Sequence, residues 1–230
     1  MTRPPFAVDF KSIPRLSFNL STRKQEEEDD ERGDVATGKP GQTFLSHVTA
    51  RRLAAVKRAG EVLTVLPGEG ESLHCILLGY FDLLNVVLAL LDRAGSPCSV
   101  LRIATLSFSK RNVAELAGLL DAGAVKTLDL LTSHFQKEHD GEILAVALEE
   151  LSAKRGQRVA AARSHCKLIC IALEDGRRYT IEGSANLRTS RNQEQFALSR
   201  DAALWGFYDA WLASMVKDHE IGRRDDPPTS

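Results

Sequence analysis

Ser164-His165-Cys166-Lys167, then Gly183-Ser184-Ala185-Asn186, then Glu194: within residues 164–194 the chain gathers a nucleophile, a cation, two polar donors and a carboxylate. These are the groups needed to attack a phosphodiester without a metal ion. Whatever architecture the protein adopts has to bring them to one place.

The local pattern around them is that of a hairpin. Val159 to Leu173 is rich in Val, Ala, Ile and Leu and ends at the turn signal Glu174-Asp175-Gly176, after which Arg178 to Glu182 resumes β-type composition. Side chains alternate across a strand, so the spacing predicts His165, Lys167 and Ile169 on one side and Cys166, Leu168 and Cys170 on the other. The small residues Gly183 and Ala185 are expected to leave the backbone open to a ligand, with Ser184 and Asn186 facing the His/Lys pair.

In order and residue type this segment resembles the phospholipase D superfamily, whose signature is His-x-Lys followed by Gly-Ser-x-Asn and a later acidic residue. His165 and Lys167 fit the first half, Gly183, Ser184 and Asn186 the second, and Glu194 the trailing acid. One departure stands out: many members carry an Asp shortly after the Lys, where this chain has Ile171 and Ala172 before Glu174 and Asp175. The resemblance implies an α/β sandwich. It implies attack by His165 on phosphorus with Glu194 holding its ring, and Lys167, Ser184 and Asn186 on the phosphate oxygens. It also implies a homodimer, because members with one motif pair two chains about a two-fold axis and this sequence has one motif without an internal repeat.

The rest of the chain is compatible. Cys75 to Tyr80 reads as a buried strand, Asp82 to Ala94 as an apolar helix, Ser99 to Phe108 as a strand, Asn112 to Ala122 as an amphipathic helix and Val125 to Leu131 as a strand. A helix over 140–155, the hairpin, a strand from Glu194 to Ser199 and a closing helix from Asp201 to Asp218 follow. Alternating strands and helices predict an α/β fold, a mostly parallel or mixed sheet flanked by helices. In the closing helix Trp205, Phe207, Tyr208, Trp211 and Met215 are expected to form core or dimer interface rather than a base-stacking platform. Residues 1–42 contain Pro4, Pro5, Pro14 and the acidic run Glu26 to Glu31 with no sustained apolar period, and are expected to form a flexible arm. A helix over Thr43 to Gly60 opens the catalytic domain, assigned to 43–222, and 223–230 form a flexible tail.

Charge is uneven. The net charge of the 230 residues is -1, yet Lys154 to Arg191 holds nine cations against three anions. Positive charge on the motif segment suits a phosphate backbone, and Arg188 and Arg191 are the first candidates for substrate contact, joined by Lys110 and His134 beyond the ends of two predicted strands. The bland alternative is a solvated surface neutralised elsewhere in the fold. No secretory signal or membrane span is legible, and four cysteines show no disulfide framework, so a cytoplasmic protein is expected. Cys166 and Cys170 alternate away from His165 on a strand, so neither metal nor cofactor is expected. The function that fits is a phosphodiesterase, most simply a nuclease cleaving DNA or RNA. The alternatives are a phospholipase or phosphatidyl transferase, and a catalytically silent nucleic-acid-binding module.

Overall fold

The computed structural model describes residues 59–61, 63–78, 82–189 and 192–222. The expected arm, most of the helix at 43–60, the tail and Arg191 lie outside them. Within them, seven strands form one mixed sheet: β1 (Glu71–Leu78), β2 (Cys98–Ala104), β3 (Val125–Ser133), β4 (Arg158–Ala162), β5 (Leu168–Leu173), β6 (Arg178–Gly183) and β7 (Gln193–Arg200). Their spatial order is β1-β7-β6-β5-β2-β3-β4. Strands β2, β3 and β4 run parallel, joined by helical crossovers, whereas β5 is antiparallel to both β2 and β6, and β7 to β6 and β1.

Helices cover both faces. The larger core lies beneath α1 (Leu83–Ala94) and α2 (Lys110–Asp121), against Leu101, Ile103, Leu128, Leu130, Ile169 and Ile171. The smaller core lies beneath the closing helix α5 (Ala202–His219), against Ala104, Leu131, Leu168, Cys170 and Ala172. The alternating residues of β5 thus enter two different cores, which explains why the strand reads as an unbroken apolar run. Helix starts are encoded locally: Asp82 caps α1 through the Asn85 N–H, Ser109 and Asn112 form a capping box on α2, and Asp201 accepts from the N–H groups of Ala203 and Leu204 on α5. Between β3 and β4 the chain forms α3 (His134–His139), α4 (Gly141–Ala147) and a π-helical turn, Leu148–Ala153, where one helix over 140–155 was expected. No helix among the described residues is long and apolar enough to cross a membrane.

Two expectations need correction. Val159 to Leu173 is not one hairpin strand. It divides into β4 and β5, and residues 163–167 connect them. The two strands are separated by β3 and β2, a lateral distance of about 14 Å at about 4.8 Å per strand. Six peptide steps from Ala162 to Leu168 span at most about 20 Å, so the connection has to stretch across the ends of β3 and β2. In α5, Trp205 is buried and Tyr208, Trp211 and Met215 pack on the smaller core as expected, but Phe207 is 68% exposed.

Candidate active site

The stretched connection carries His165 and Lys167. It lies where β2, β3 and β4 end and β5 begins, which is also where β6 ends and β7 begins. Ends of parallel strands leave loops open to ligands, and here the antiparallel half delivers its own loop to the same edge.

His165 is exposed and Lys167 half-buried, and neither sits on a strand. Their proximity comes instead from the Lys167 side chain folding back: Nζ lies 2.9 Å from His165 Nδ1 and 2.8 Å from the His165 carbonyl oxygen. Burial pushes the Lys167 ammonium below its ordinary pKa, opposed by negative charge at Cys166 and at Glu194. Cys166 faces solvent and Cys170 lies in the smaller core, so the two thiols do not share a site. Among the described residues no three His, Cys, Asp or Glu side chains are grouped to hold a metal ion.

Gly183 is glycine for a different reason from the one expected. A Cβ there would lie 2.2 Å from the Gln195 carbonyl oxygen and 2.9 Å from Phe196 Cα. Its missing side chain admits the backbone of β7, and Ala185 is buried in the larger core. This close approach places Ser184 beside β7. The Ser184 N–H donates to the Gln195 carbonyl at 3.0 Å, and the Ser184 hydroxyl accepts from the Gln195 N–H at 3.0 Å and donates to the Glu194 carboxylate. Glu194, expected to hold His165, is thus held by Ser184, and the His165 ring meets Lys167.

Asn186 ties the loop to the parallel half. Its Oδ1 accepts from the Leu106 N–H at 3.2 Å and its backbone oxygen from the Leu83 N–H at 3.4 Å, while the Leu187 N–H donates to Thr105 Oγ1 at 3.2 Å. Thr189 donates to Asp82 Oδ2 at 3.4 Å. Asp82, only 2% exposed, also accepts from the Asn85 N–H and Nδ2 at 3.0 and 2.9 Å and from Asn112 Nδ2 at 3.2 Å. Burial, followed by the charge of Glu115, raises its pKa to about 6 against the opposing hydrogen bonds and Arg111. Sequence reading missed this buried group because Asp82 registers there only as the start of a helix.

The remaining candidates form a rim. Lys110 opens α2 with Nζ 4.0 Å from Glu142 Oε2, and Arg188 Nη1 lies 3.6 Å from Asp140 Oδ2. Both cations reach carboxylates at the start of α4, while half-buried His134 opens α3. On the other side of Lys167 lies a cavity of about 580 Å³ bounded by Gly183, Gln195, Ala197, Phe207, Tyr208 and Trp211 among others. The Tyr208 hydroxyl donates to Glu182 Oε2 at 2.7 Å, which raises the Tyr208 pKa to about 12.

No protein-family profile matches the chain, and no curated protein is similar to it in sequence. Solved structures are similar in architecture. A polyphosphate kinase from Porphyromonas gingivalis superposes with a TM-score of 0.50 at 14% identity, over 66% of this chain and 27% of that one. NucT from Helicobacter pylori gives 0.47 at 14% identity, over 65% of this chain and 99% of that one. Nuc, a phospholipase D family member from Salmonella typhimurium, gives 0.47 at 15% identity, over 67% and 100%. At such identities the likeness concerns architecture alone: an α/β fold built on one mixed sheet with flanking helices.

Proposed function

We propose that the protein is a phosphodiesterase that needs no metal ion, acting as a nuclease on DNA or RNA through a phosphohistidine in a site shared by two copies of the chain. The observation that carries the reading is the 2.9 Å contact between Lys167 Nζ and His165 Nδ1, at an edge where Ser184, Asn186 and Glu194 also converge. In that contact the lysine occupies the ring nitrogen. A phosphate entering the site offers Lys167 a charge-assisted partner and draws it off the ring. Nδ1 is then free to carry the proton that Glu194 can accept as a hydrogen bond, which leaves Nε2 with a lone pair for attack.

Nε2 of His165 bonds to phosphorus while the P–O bond to the leaving group breaks. The leaving oxygen takes a proton from the partner subunit's His165. Water then attacks phosphorus, the P–N bond breaks, and the proton released by water returns to the partner subunit's His165. Lys167 and Asn186 stabilise charge on the non-bridging oxygens, with Ser184 nearby. Lys110, His134, Arg188 and Arg191 contribute along the flanking backbone. All four cysteines are free thiols, which suits a reducing compartment such as the cytoplasm.

The test is cleavage of labelled DNA and RNA in excess chelator by wild type and by His165→Ala. Chelator-resistant cleavage lost in the variant, with an acid-labile, base-stable phosphoenzyme trapped in the wild type, is the expected result. Cleavage surviving the substitution, or binding without turnover, removes the proposal.

A further inference from the structure

The cavity beside Lys167 has a floor built by strand register. His74 pairs across β1 and β7 with Ala197, Ala197 across β7 and β6 with Glu182, and Glu182 across β6 and β5 with Leu168. These four residues make one cross-strand row on the face carrying α5, and all four line the cavity. The helix packs on β2 to β6 and leaves the β1 end of that row, at His74, uncovered. Phe207 and Trp211, four residues apart and so on one stripe of α5, overhang this uncovered part. Phe207 is 68% exposed, as is Ile76 beside the row at 67%. Cys166, Lys167, Gly183 and Gln195 complete the lining, so the cavity shares Lys167 with the proposed reacting site.

Its chemistry selects among occupants. A saturated chain would satisfy the aromatic wall but cover His74 and Gln195 with nothing that can pair with them, while Glu182 keeps its bond from Tyr208. A flat heteroaromatic ring with polar edges satisfies both, stacking on Phe207 while its ring N–H and carbonyl groups meet the polar lining. We infer that this cavity seats an unpaired nucleobase adjacent to the scissile phosphate, so that the substrate is single-stranded nucleic acid. The inference rests on the phosphodiesterase reading. It adds the class of substrate, because a base still paired in a duplex cannot leave its stack to enter a slot beneath α5 without cost.

The experiment is equilibrium binding of the full chain, by fluorescence anisotropy, to labelled oligothymidylate and to an oligomer of equal length made of abasic deoxyribose phosphate units. The expected result is about tenfold tighter binding of the base-bearing strand, a preference that Phe207→Ala brings close to one. Phe207 is exposed, so its loss does not empty a core. Quenching of tryptophan fluorescence by oligothymidylate but not by the abasic strand supports the same conclusion independently. Equal binding of the two strands by the wild type overturns the inference, as does equal binding of annealed duplex. Displacement of oligothymidylate by phosphatidylglycerol vesicles in a Phe207-dependent way overturns it in favour of a lipid. A base preference that persists where no phosphodiester is cleaved keeps the cavity assignment and removes only the nuclease reading.

Discussion

The two halves of the candidate site are held in opposite ways. Ser184 to Thr189 is sutured to its surroundings, with Ser184 bonded to β7, Asn186 and Leu187 to the turn after β2, and Thr189 to buried Asp82. His165 and Lys167 are bonded chiefly to each other on a connection stretched across strand ends. A half fixed before substrate arrives can serve as a template for phosphate oxygens without reorganising. A half tied to itself can exchange partners when phosphate arrives. The contrast predicts that substitutions of His165 or Lys167 alter turnover and leave stability alone, and that those which remove the internal bonds of the fixed half disturb both.

The largest effect is expected at Lys167. Lys167→Ala should lower kcat by about 10² to 10³, the typical loss of one preorganised donor to a transition-state oxygen. Its melting temperature should stay near that of the wild type, since no buried partner loses its hydrogen bond. A fall in melting temperature matching the loss of activity would make Lys167 part of the scaffold and dissolve the contrast.

Asp82 tests the fixed half. Asp82→Ala leaves Asn85 and Asn112 donors buried without an acceptor, a loss of about 3 kcal/mol, or a fall of about 6 to 12 °C in melting temperature for a chain of this size. The effect carries a pH signature. The folded pKa of about 6 is raised from 3.8, so the contribution of Asp82 to stability is fully present below about 4 and declines as pH rises through 6. At 1.36 kcal/mol per unit this amounts to about 3 kcal/mol. Urea titrations at pH 4 and 7.5 should therefore find Asp82→Ala costlier at the lower pH, and a penalty greater at pH 7.5 would refute the assignment.

Gly183→Ala follows, with a smaller thermodynamic cost of about 1 to 3 kcal/mol from overpacking. The added Cβ has backbone on its far side, Gln195 O and Phe196 Cα, which cannot rotate away. Strand β7 must shift and carry Ser184 and Glu194 with it. Cleavage should fall about tenfold or more, and a variant with wild-type kinetics would show that the junction tolerates movement.

These residues also mark what sequence could and could not reveal. The motif residues were legible because their types and order are unusual together, and the layered α/β pattern because strands and helices alternate. The split of Val159 to Leu173 was hidden: β4 and β5 are buried on both faces, so neither shows alternation, and only the polar run Arg163 to Lys167 marks the break. The Asp82 cluster joins residues from α1, α2 and the loop after β6, contacts no local period records. The exposure of Phe207 was illegible because helical spacing identifies an apolar stripe but not where the sheet beneath it runs beyond the helix.

The smallest effect separates the rim from the reacting centre. Arg188 is exposed and only loosely paired with Asp140 at 3.6 Å, so Arg188→Ala should leave stability within about 0.5 kcal/mol. If it holds a phosphate flanking the scissile one, its loss weakens ground state and transition state alike. KM should then rise severalfold with kcat unchanged, and the slope of log affinity against log salt should fall by about one. A parallel fall in kcat would move Arg188 from the flanking backbone to the reacting phosphate. The fixed half would then supply a transition-state cation of its own, and the division of labour between the halves would have to be redrawn.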